Sequence, residues 1–385
     1  INQSIETRRQ ESNFTYNYCP IPAMDGDTQH DGRGGHEAVL LKNTIYFIGG
    51  SHAIPNASPF KSSIRGYNLS NEIFYLDLAS PFFTTSPPYV DLSGTSARLQ
   101  FGNEKGTALV GGRSNEEILL VGGVYQNLTL LDQIDHNATI ISNQTLMINE
   151  LLNTWSSTNQ TIFIYRPTAQ TWMNPKSVAN IGAPIIRRRS TSTVISKGII
   201  YIFGGRAEID TGSPTFICFN DLYTYDTVLS KWNRINADNV PTPRSHSAAV
   251  LLPDGKILYI GGVSQASPGK DVTPIDMKII PVFDTKSSTW SSEQAEFGST
   301  LIQPRAGHSA NLAADNTSII IIGGTSRNIT NDGSSSVETN GFIYVLDITM
   351  PCITSLVCLI AIEFVGIILT CLLKSWCNWN WKYTL

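Results

Sequence analysis

The sequence predicts an all-β fold assembled from repeated four-stranded units, and three observations carry that prediction. Five strand-like runs end on a glycine pair: "NTIYFIGG" (43–50), "EEILLVGG" (116–123), "GIIYIFGG" (198–205), "KILYIGG" (256–262) and "SIIIIGG" (318–324). Each is preceded by a run of small and apolar residues: "HEAVLL", "GTALVG", "STSTVI", "SHSAAVLL" and "GHSANLA". Downstream, three copies reach an aromatic residue with a Trp seven positions later: Tyr165 and Trp172, Tyr225 and Trp232, Phe283 and Trp290.

Each part has a physical reason. The glycine-terminated runs are made of Ile, Leu, Val, Tyr and Phe, which suit a buried pleated surface better than a helix. The pairs Gly49–Gly50, Gly122–Gly123, Gly204–Gly205, Gly261–Gly262 and Gly323–Gly324 permit positive φ and the close approach of another backbone. The small-residue run gives a first strand, and the run ending in the aromatic residue gives a third. The Trp opens a fourth. First glycines are spaced by 73, 82, 57 and 62 residues, one supersecondary unit per repeat with neighbours stacking to bury a shared core.

Four strands per unit, a diglycine closing the second and an aromatic-Asp to Trp turn joining the last two resemble the kelch repeat. The resemblance covers residues 31–350 and implies a β-propeller of four-stranded blades around a central axis. Five blades are recognisable, with a sixth conceivable from irregular parts; the longer periods are blade insertions. Two copies depart from the pattern: the first has Phe83 where Trp is expected, and in the fifth the position seven residues after Leu346 is Ile353. The fifth blade therefore lacks its own fourth strand. "SNFTYNY" (12–18), within an N-terminal segment 1–30, alternates Phe14, Tyr16 and Tyr18 and is expected to close it, leaving no open edge.

Ile353 falls within "CITSLVCLIAIEFVGIILTCLL" (352–373), long enough as a helix, at ~1.5 Å per residue, to cross a bilayer core of ~30 Å. A membrane helix over 352–373 and a cytoplasmic tail over 374–385 are expected. Lys374 and Lys382 after the span agree with positive residues inside, and Trp376, Trp379, Trp381 and Tyr383 suit the headgroup belt. Glu363 within the span costs about 3 kcal/mol on insertion scales, and either meets a partner helix or is carried protonated. N-glycosylation sequons begin at Asn2, Asn13, Asn56, Asn68, Asn127, Asn137, Asn143, Asn159, Asn316 and Asn328, none of them beyond the propeller. They favour a cell-surface or secretory-pathway membrane with the propeller outside; a tail-anchored intracellular adaptor is the alternative. The first residue is Ile, so the chain reads as processed or incomplete.

Composition narrows the function. A net charge of −4 and a pI near 5.9 argue against nucleic acid. Cys19 and Cys218 alone belong to the propeller, and in an oxidising compartment they suggest one disulfide. Kelch-like propellers include galactose oxidase, which implies copper held by paired His and Tyr ligands and a Tyr joined to Cys. His36, His246 and His308 instead read as repeat positions ahead of the diglycines, and no nucleophile elbow, phosphate loop or zinc spacing appears. No catalytic residue, metal or cofactor is expected, and fold alone assigns no activity.

The expected function is a non-catalytic binding module displaying its loops toward a protein or acidic polysaccharide. The longest loop, 124–160, carries four sequons and is either a binding lid or a glycosylated spacer. The third strand of the fifth blade ends at Ile348, just ahead of the span. The face opposite the diglycines is therefore expected toward the membrane, as the resemblance to single-span kelch proteins of filamentous fungi also implies. Arg33, Lys105, Arg189, Arg244 and Arg305 lie 16, 17, 15, 17 and 18 residues before their first glycines. They are expected either as a cationic ring at the funnel mouth binding an anionic group, or as repeat residues paired with neighbouring acids.

Overall fold

The computed structural model describes residues 34–51, 69–82, 87–126, 162–173, 182–184, 191–208, 216–297, 302–329, 335–339, 343–348 and 353–355. They form five blades. Blade one is β1 (Glu37–Leu41), β2 (Thr44–Ile48), β3 (Ile73–Asp77) and β4 (Tyr89–Asp91). Blade two is β5 (Gly102–Gly111), β6 (Glu117–Gln126), β7 (Ile162–Arg166) and β8 (Thr171–Met173). Blade three contains β9 (Ser192–Ser196), β10 (Ile199–Phe203), β13 (Leu222–Asp226) and β14 (Lys231–Ile235), with a side hairpin of β11 (Arg206–Glu208) and β12 (Phe216–Cys218). In blade four β15 (Arg244–Ser245), β18 (Val263–Gln265) and β19 (Val272–Pro274) make a small sheet beside β16 (Ala248–Leu251), β17 (Lys256–Ile260), β20 (Ile279–Asp284) and β21 (Thr289–Phe297).

Blade five differs. There β23 (Ser318–Ile329) pairs with β22 (Ala306–Leu312) and β25 (Ile343–Asp347), and its extension past the glycines pairs with β24 (Ser335–Thr339). No fourth strand appears on β25 among the described residues; the expected closing strand, 12–18, lies outside them.

The core sits between blades rather than inside any one of them. One cluster joins blades one and two through Ile48, Ile73, Phe101, Ile118 and Tyr165. Others join blades two and three through Leu119, Ile164, Ile200 and Tyr225, three and four through Phe203, Tyr259 and Trp290, and four and five through Leu258, Ile260, Ile319 and Tyr344. Each buried aliphatic or aromatic side chain contributes about 1.5–3 kcal/mol, which is why the second strands are apolar on both faces.

The seven-residue spacing is a hairpin. Trp172 lies directly opposite Tyr165, Trp232 opposite Tyr225 and Trp290 opposite Phe283, with ring centroids 5.1, 4.9 and 5.1 Å apart. Asp226 accepts the N–H groups of Val228 and Leu229 at 2.8 Å, and Asp284 that of Lys286 at 2.8 Å, so the acid caps the turn. In blade one the residue opposite Leu76 is Tyr89. Tyr89 therefore takes the Trp place expected of Phe83; the connection is longer, and Phe83 lies outside the described residues.

The C-terminal part corrects one expectation and leaves another outside view. Ile353–Ser355, expected to open the membrane helix, form β26, which pairs parallel with Ala295–Phe297 of β21. As a fourth strand, β21 runs toward the diglycine end of its blade, and β26 runs with it. Ser355, the last described residue, thus lies toward the diglycine end of that blade. Residues 356–385 lie outside the described residues, among which no helix is long and apolar enough to cross a membrane.

Candidate functional site

All ten repeat glycines have positive φ, between 60° and 97°. The N–H of Gly50 donates to the Asn103 carbonyl at 2.7 Å, that of Gly205 to Arg244 at 2.9 Å and that of Gly262 to Arg305 at 2.8 Å. In these three pairs the first glycine lies against the same carbonyl: a Cβ at Gly49 would collide with Asn103 O, one at Gly204 would come within 2.5 Å of Arg244 O and one at Gly261 within 2.8 Å of Arg305 O. These three pairs thus stitch blade one to two, three to four and four to five. A second stitch runs from Lys105 N–H to Gly35 O and from Gly307 N–H to His246 O, at 2.8 and 2.9 Å.

These bonds fix the correspondence between blades and correct the expected cation ring. Asn103, not Lys105, stands where Arg244 and Arg305 stand. Lys105 corresponds instead to Gly35, His246 and Gly307, all four with φ between 57° and 69°. Arg305 is fully buried: its guanidinium donates to Gly323 O and Tyr344 Oη, both at 2.8 Å, and lies 4.4 Å from the centre of the Tyr344 ring. Arg244 is 3% exposed and directs Nε to Thr242 O at 3.5 Å; burial lowers its pKa to about 10, so it remains charged. Both side chains are packed within the blades and unavailable as an open ring, because a carbonyl-bonded backbone at this position points them into the sheet. Neither has the acidic partner of the alternative expectation among the described residues. Lys105 has one on its own strand, Glu104, at 2.6 Å. Arg33 and Arg189 lie outside the described residues.

Around the axis, the inner strands of all five blades enclose a cavity of about 500 Å³. Blade one contributes His36, Glu37 and Ala38; blade two Lys105, Thr107 and Ala108; blade three Thr191; blade four His246 and Ser247; blade five His308 and Ser309. His36 and His308 hold the same place in their repeats, and His246 comes one residue earlier by strand register. Register also aligns Glu37 with Thr107, Ser192, Ala248 and Ser309, each paired with the residue just before a first glycine.

Glu37 is 4% exposed, and its Oε1 accepts the Gly106 N–H from blade two. Burial drives its pKa from 4.5 up to about 8, opposed by the Gly106 bond and the neighbouring Asn103 amide and reinforced by Glu104. Asn103 lies near it without closing a bond: Glu37 Oε2 and both Asn103 amide atoms have no partner among the described residues. His308 is 7% exposed with neither ring nitrogen bonded among them. Burial, and then the Arg305 charge, lower its pKa to about 4, against the nearby Ile260 backbone. At neutral pH the carboxyl keeps its proton and the imidazole lacks its second one.

Sequence reasoning missed Glu37 and Asn103. The signal for Glu37 was present: one carboxylate at a position that is small or hydroxylated in the four other copies. The remaining expected sites fall apart from this cavity. Cys218 is buried, with Sγ 3.7 Å from Ser245 Oγ; Cys19, its expected disulfide partner, lies outside the described residues. Asn316 is exposed at the β22–β23 turn, and Asn328 is in β23. Asn56, Asn68, Asn127, Asn137, Asn143, Asn159 and most of the 124–160 loop lie outside the described residues. Among those residues no three His, Cys, Asp or Glu side chains group as a metal site.

Comparison with known proteins agrees with this architecture. The KLHDC2/KLHL20/DRC7 Kelch-repeats domain model matches residues 135–333, just over half of the chain. Acyl-CoA-binding domain-containing protein 4 of Arabidopsis thaliana is 28% identical over 165 residues, covering 43% of this chain and 22% of that protein. N-acetylneuraminate epimerase of Vibrio vulnificus is 34% identical over 102 residues, 25% of each. The matched part of the chain thus spans a quarter or less of these relatives. The solved structure of YjhT superposes with a TM-score of 0.55 over 84% of both chains at 15% identity, a likeness of fold. The chain belongs to the KLHDC2/KLHL20/DRC7 Kelch-repeats domain family, and its structure is a kelch β-propeller.

Proposed function

We propose that the protein is a ligand-binding module that takes its ligand at the axial cavity. The observation that carries this reading is the cavity itself: about 500 Å³, within the usual ~300–1,000 Å³ of ligand sites, with hydroxyl, imidazole and carboxyl groups converging from every described blade. The exposed Ala38 permits a test, because Ala38→Trp fills the opening without touching the blade stitches. The expected result is loss of binding to whichever members of a glycan and peptide array the wild-type chain retains. An unchanged binding profile in a folded Ala38→Trp variant rules the cavity out.

The same proposal places the propeller at a membrane, on the lumenal or extracellular side. Its support is sequence: the uncharged run around Glu363 in 356–373 and ten sequons, of which Asn316 is exposed. Membrane pellets extracted with carbonate should retain the full chain and release one lacking 356–373, and endoglycosidase should increase its mobility. Carbonate-soluble full-length protein of unchanged mobility would refute the placement.

A second reading, catalysis on a sugar, is favoured by the Vibrio relatives, which are N-acetylneuraminate epimerases. Proton NMR of N-acetylneuraminate anomers with and without the protein separates the two: accelerated anomer exchange supports catalysis, and unchanged exchange supports binding alone.

A further inference from the structure

The seam between blade five and blade one is built differently from the other four, and we propose that it is a docking surface whose occupant is the chain's own N-terminal segment 1–33, laid between the two blades as a further β-layer.

Each of the other four seams holds a core cluster, and none among the described residues joins blade five to blade one. Backbone bonds repeat the contrast. Lys105 N–H donates to Gly35 O from blade two to blade one, and Gly307 N–H to His246 O from blade five to blade four, at 2.8 and 2.9 Å. The corresponding bond, from Gly35 N–H to Gly307 O, is absent although both residues are described. Ser192 of blade three is 2% exposed and donates Oγ to Ser247 O of blade four at 2.8 Å. Ser309, at the same register, is exposed and among the described residues reaches only Ile322 O of its own blade, at 3.5 Å.

Burial identifies the bare faces. In blade two Ile118, Leu119, Leu120 and Val121 are all 0% exposed, because neighbours cover both sides of the sheet. In blade five Ile319 and Ile321, which pack on blade four, are 0 and 2% exposed, whereas Ile320 and Ile322 on the other side are only half-buried. Blade one is bare on its matching side. Ala38 is exposed and Leu40 is 56% exposed, on the face opposite the one that packs on blade two. That face continues through Phe47, Phe74 and Tyr89, with ring centroids 5.0, 5.8 and 5.4 Å apart. Both blades line the axial cavity, so their bare faces look toward each other around the ring, and apolar surface of this kind gains free energy when covered.

Three features choose the occupant. Gly34, the first described residue, is held at the diglycine end of blade one by paired bonds with Ser51 at 3.0 and 2.8 Å, so residues 1–33 arrive beside the seam. Their number suffices for two paired strands of ~5–6 residues and a turn. Within them Phe14, Tyr16 and Tyr18 alternate with Asn13, Thr15 and Asn17. A strand of that pattern offers an aromatic side to blade one and a polar side to the exposed Ser309 and Asn311 of blade five. This places 12–18 against the blade faces rather than along the free edge of β25.

The test is thermal unfolding of the full chain in detergent micelles, followed by tryptophan fluorescence. Its variants are Leu40→Lys, the triple variant Phe14→Ser, Tyr16→Ser, Tyr18→Ser, and the two combined. With the segment in the seam Leu40 is covered, so Leu40→Lys and the triple variant should each lower Tm by about 3 °C or more. The combination should fall clearly short of the sum, because both changes break one contact. If the triple variant does not fold, Phe14→Ser alone takes its place. A Leu40→Lys chain that melts within about 1 °C of wild type would show a bare seam and overturn the proposal. Loss of Tm in Leu40→Lys with none in the triple variant, or fully additive losses, would overturn the choice of occupant. A dimer by light scattering whose Tm rises with protein concentration and is insensitive to the triple variant would assign the seam to a second copy of the chain and overturn it as well.

Discussion

The N–H of Gly262 in blade four donates to the carbonyl of Arg305 in blade five at 2.8 Å, and the Arg305 side chain turns the other way, into its own sheet. One residue thereby closes a seam with its backbone and a blade with its guanidinium.

The two halves of this junction separate on substitution of glycine. A Cβ at Gly261 would meet Arg305 O at 2.8 Å, His308 Cε1 and Met277 Sδ at 2.7 Å, at φ 60°. Gly261→Ala is expected to destabilise the protein by about 3 kcal/mol or more. Gly323 has φ 71° but no described atom within 4 Å of such a Cβ, so Gly323→Ala should cost about 1–2 kcal/mol. Urea denaturation of both variants checks the order.

Arg305 is expected to matter for stability rather than for holding anions. Tyr344→Phe removes the hydroxyl that accepts its Nη2 and should cost about 1–3 kcal/mol. Arg305→Met leaves Gly323 O and Tyr344 Oη unbonded but also removes a buried charge, so its cost should remain below that of Arg305→Ala, about 3–5 kcal/mol. Denaturant midpoints measure all three. Sulfate binding lost in Arg305→Met would contradict this assignment.

Glu37 and His308 impose opposite pH dependences on folding. The folded carboxyl keeps its proton up to about pH 8, while an unfolded one loses it near 4.5, so this group lowers stability as pH rises between those values. The folded imidazole refuses a proton down to about pH 4, whereas an unfolded one takes it near 6.5, so this group lowers stability as pH falls over that range. The slopes oppose each other from about pH 4.5 to 6.5. Glu37→Gln should remove the decline between pH 6 and 8.5, and His308→Gln should remove the loss below pH 6.5, both read from urea midpoints across pH.

The cross-strand aromatic pairs should be worth more than an ordinary surface hairpin. Trp290 faces Phe283 and also lies 4.9 Å from Phe203 and 5.4 Å from Tyr259, ring centre to ring centre. Trp290→Ala is expected to cost about 3–5 kcal/mol. Lys286→Ala, in the exposed turn between the same strands, should fall within about 0.5 kcal/mol of wild type. Thermal unfolding of the two variants provides the measurement.

The sequence by itself determined the repeat. Strand composition, glycine positions and the Trp spacing are local constraints: β-branched and aromatic side chains suit the pleat, φ above zero demands glycine, and a capped hairpin sets Trp172, Trp232 and Trp290 opposite their aromatic partners. The five second strands and all ten repeat glycines were therefore legible, as was the kelch family. What only the tertiary structure decided is how repeats register against one another. Counting from the diglycine put Lys105 level with Arg244 and Arg305, because the first hairpins of the blades differ in length and counting along a chain does not see register. The interblade bonds to Asn103 O, Arg244 O and Arg305 O supply the true register. They also accompany the burial of both arginines, bring Glu37 against Gly106 of the next blade and bury His308 beside Gly261. Burial, which sets the charge of both side chains, is a property of the closed arrangement of blades, and no single repeat contains it.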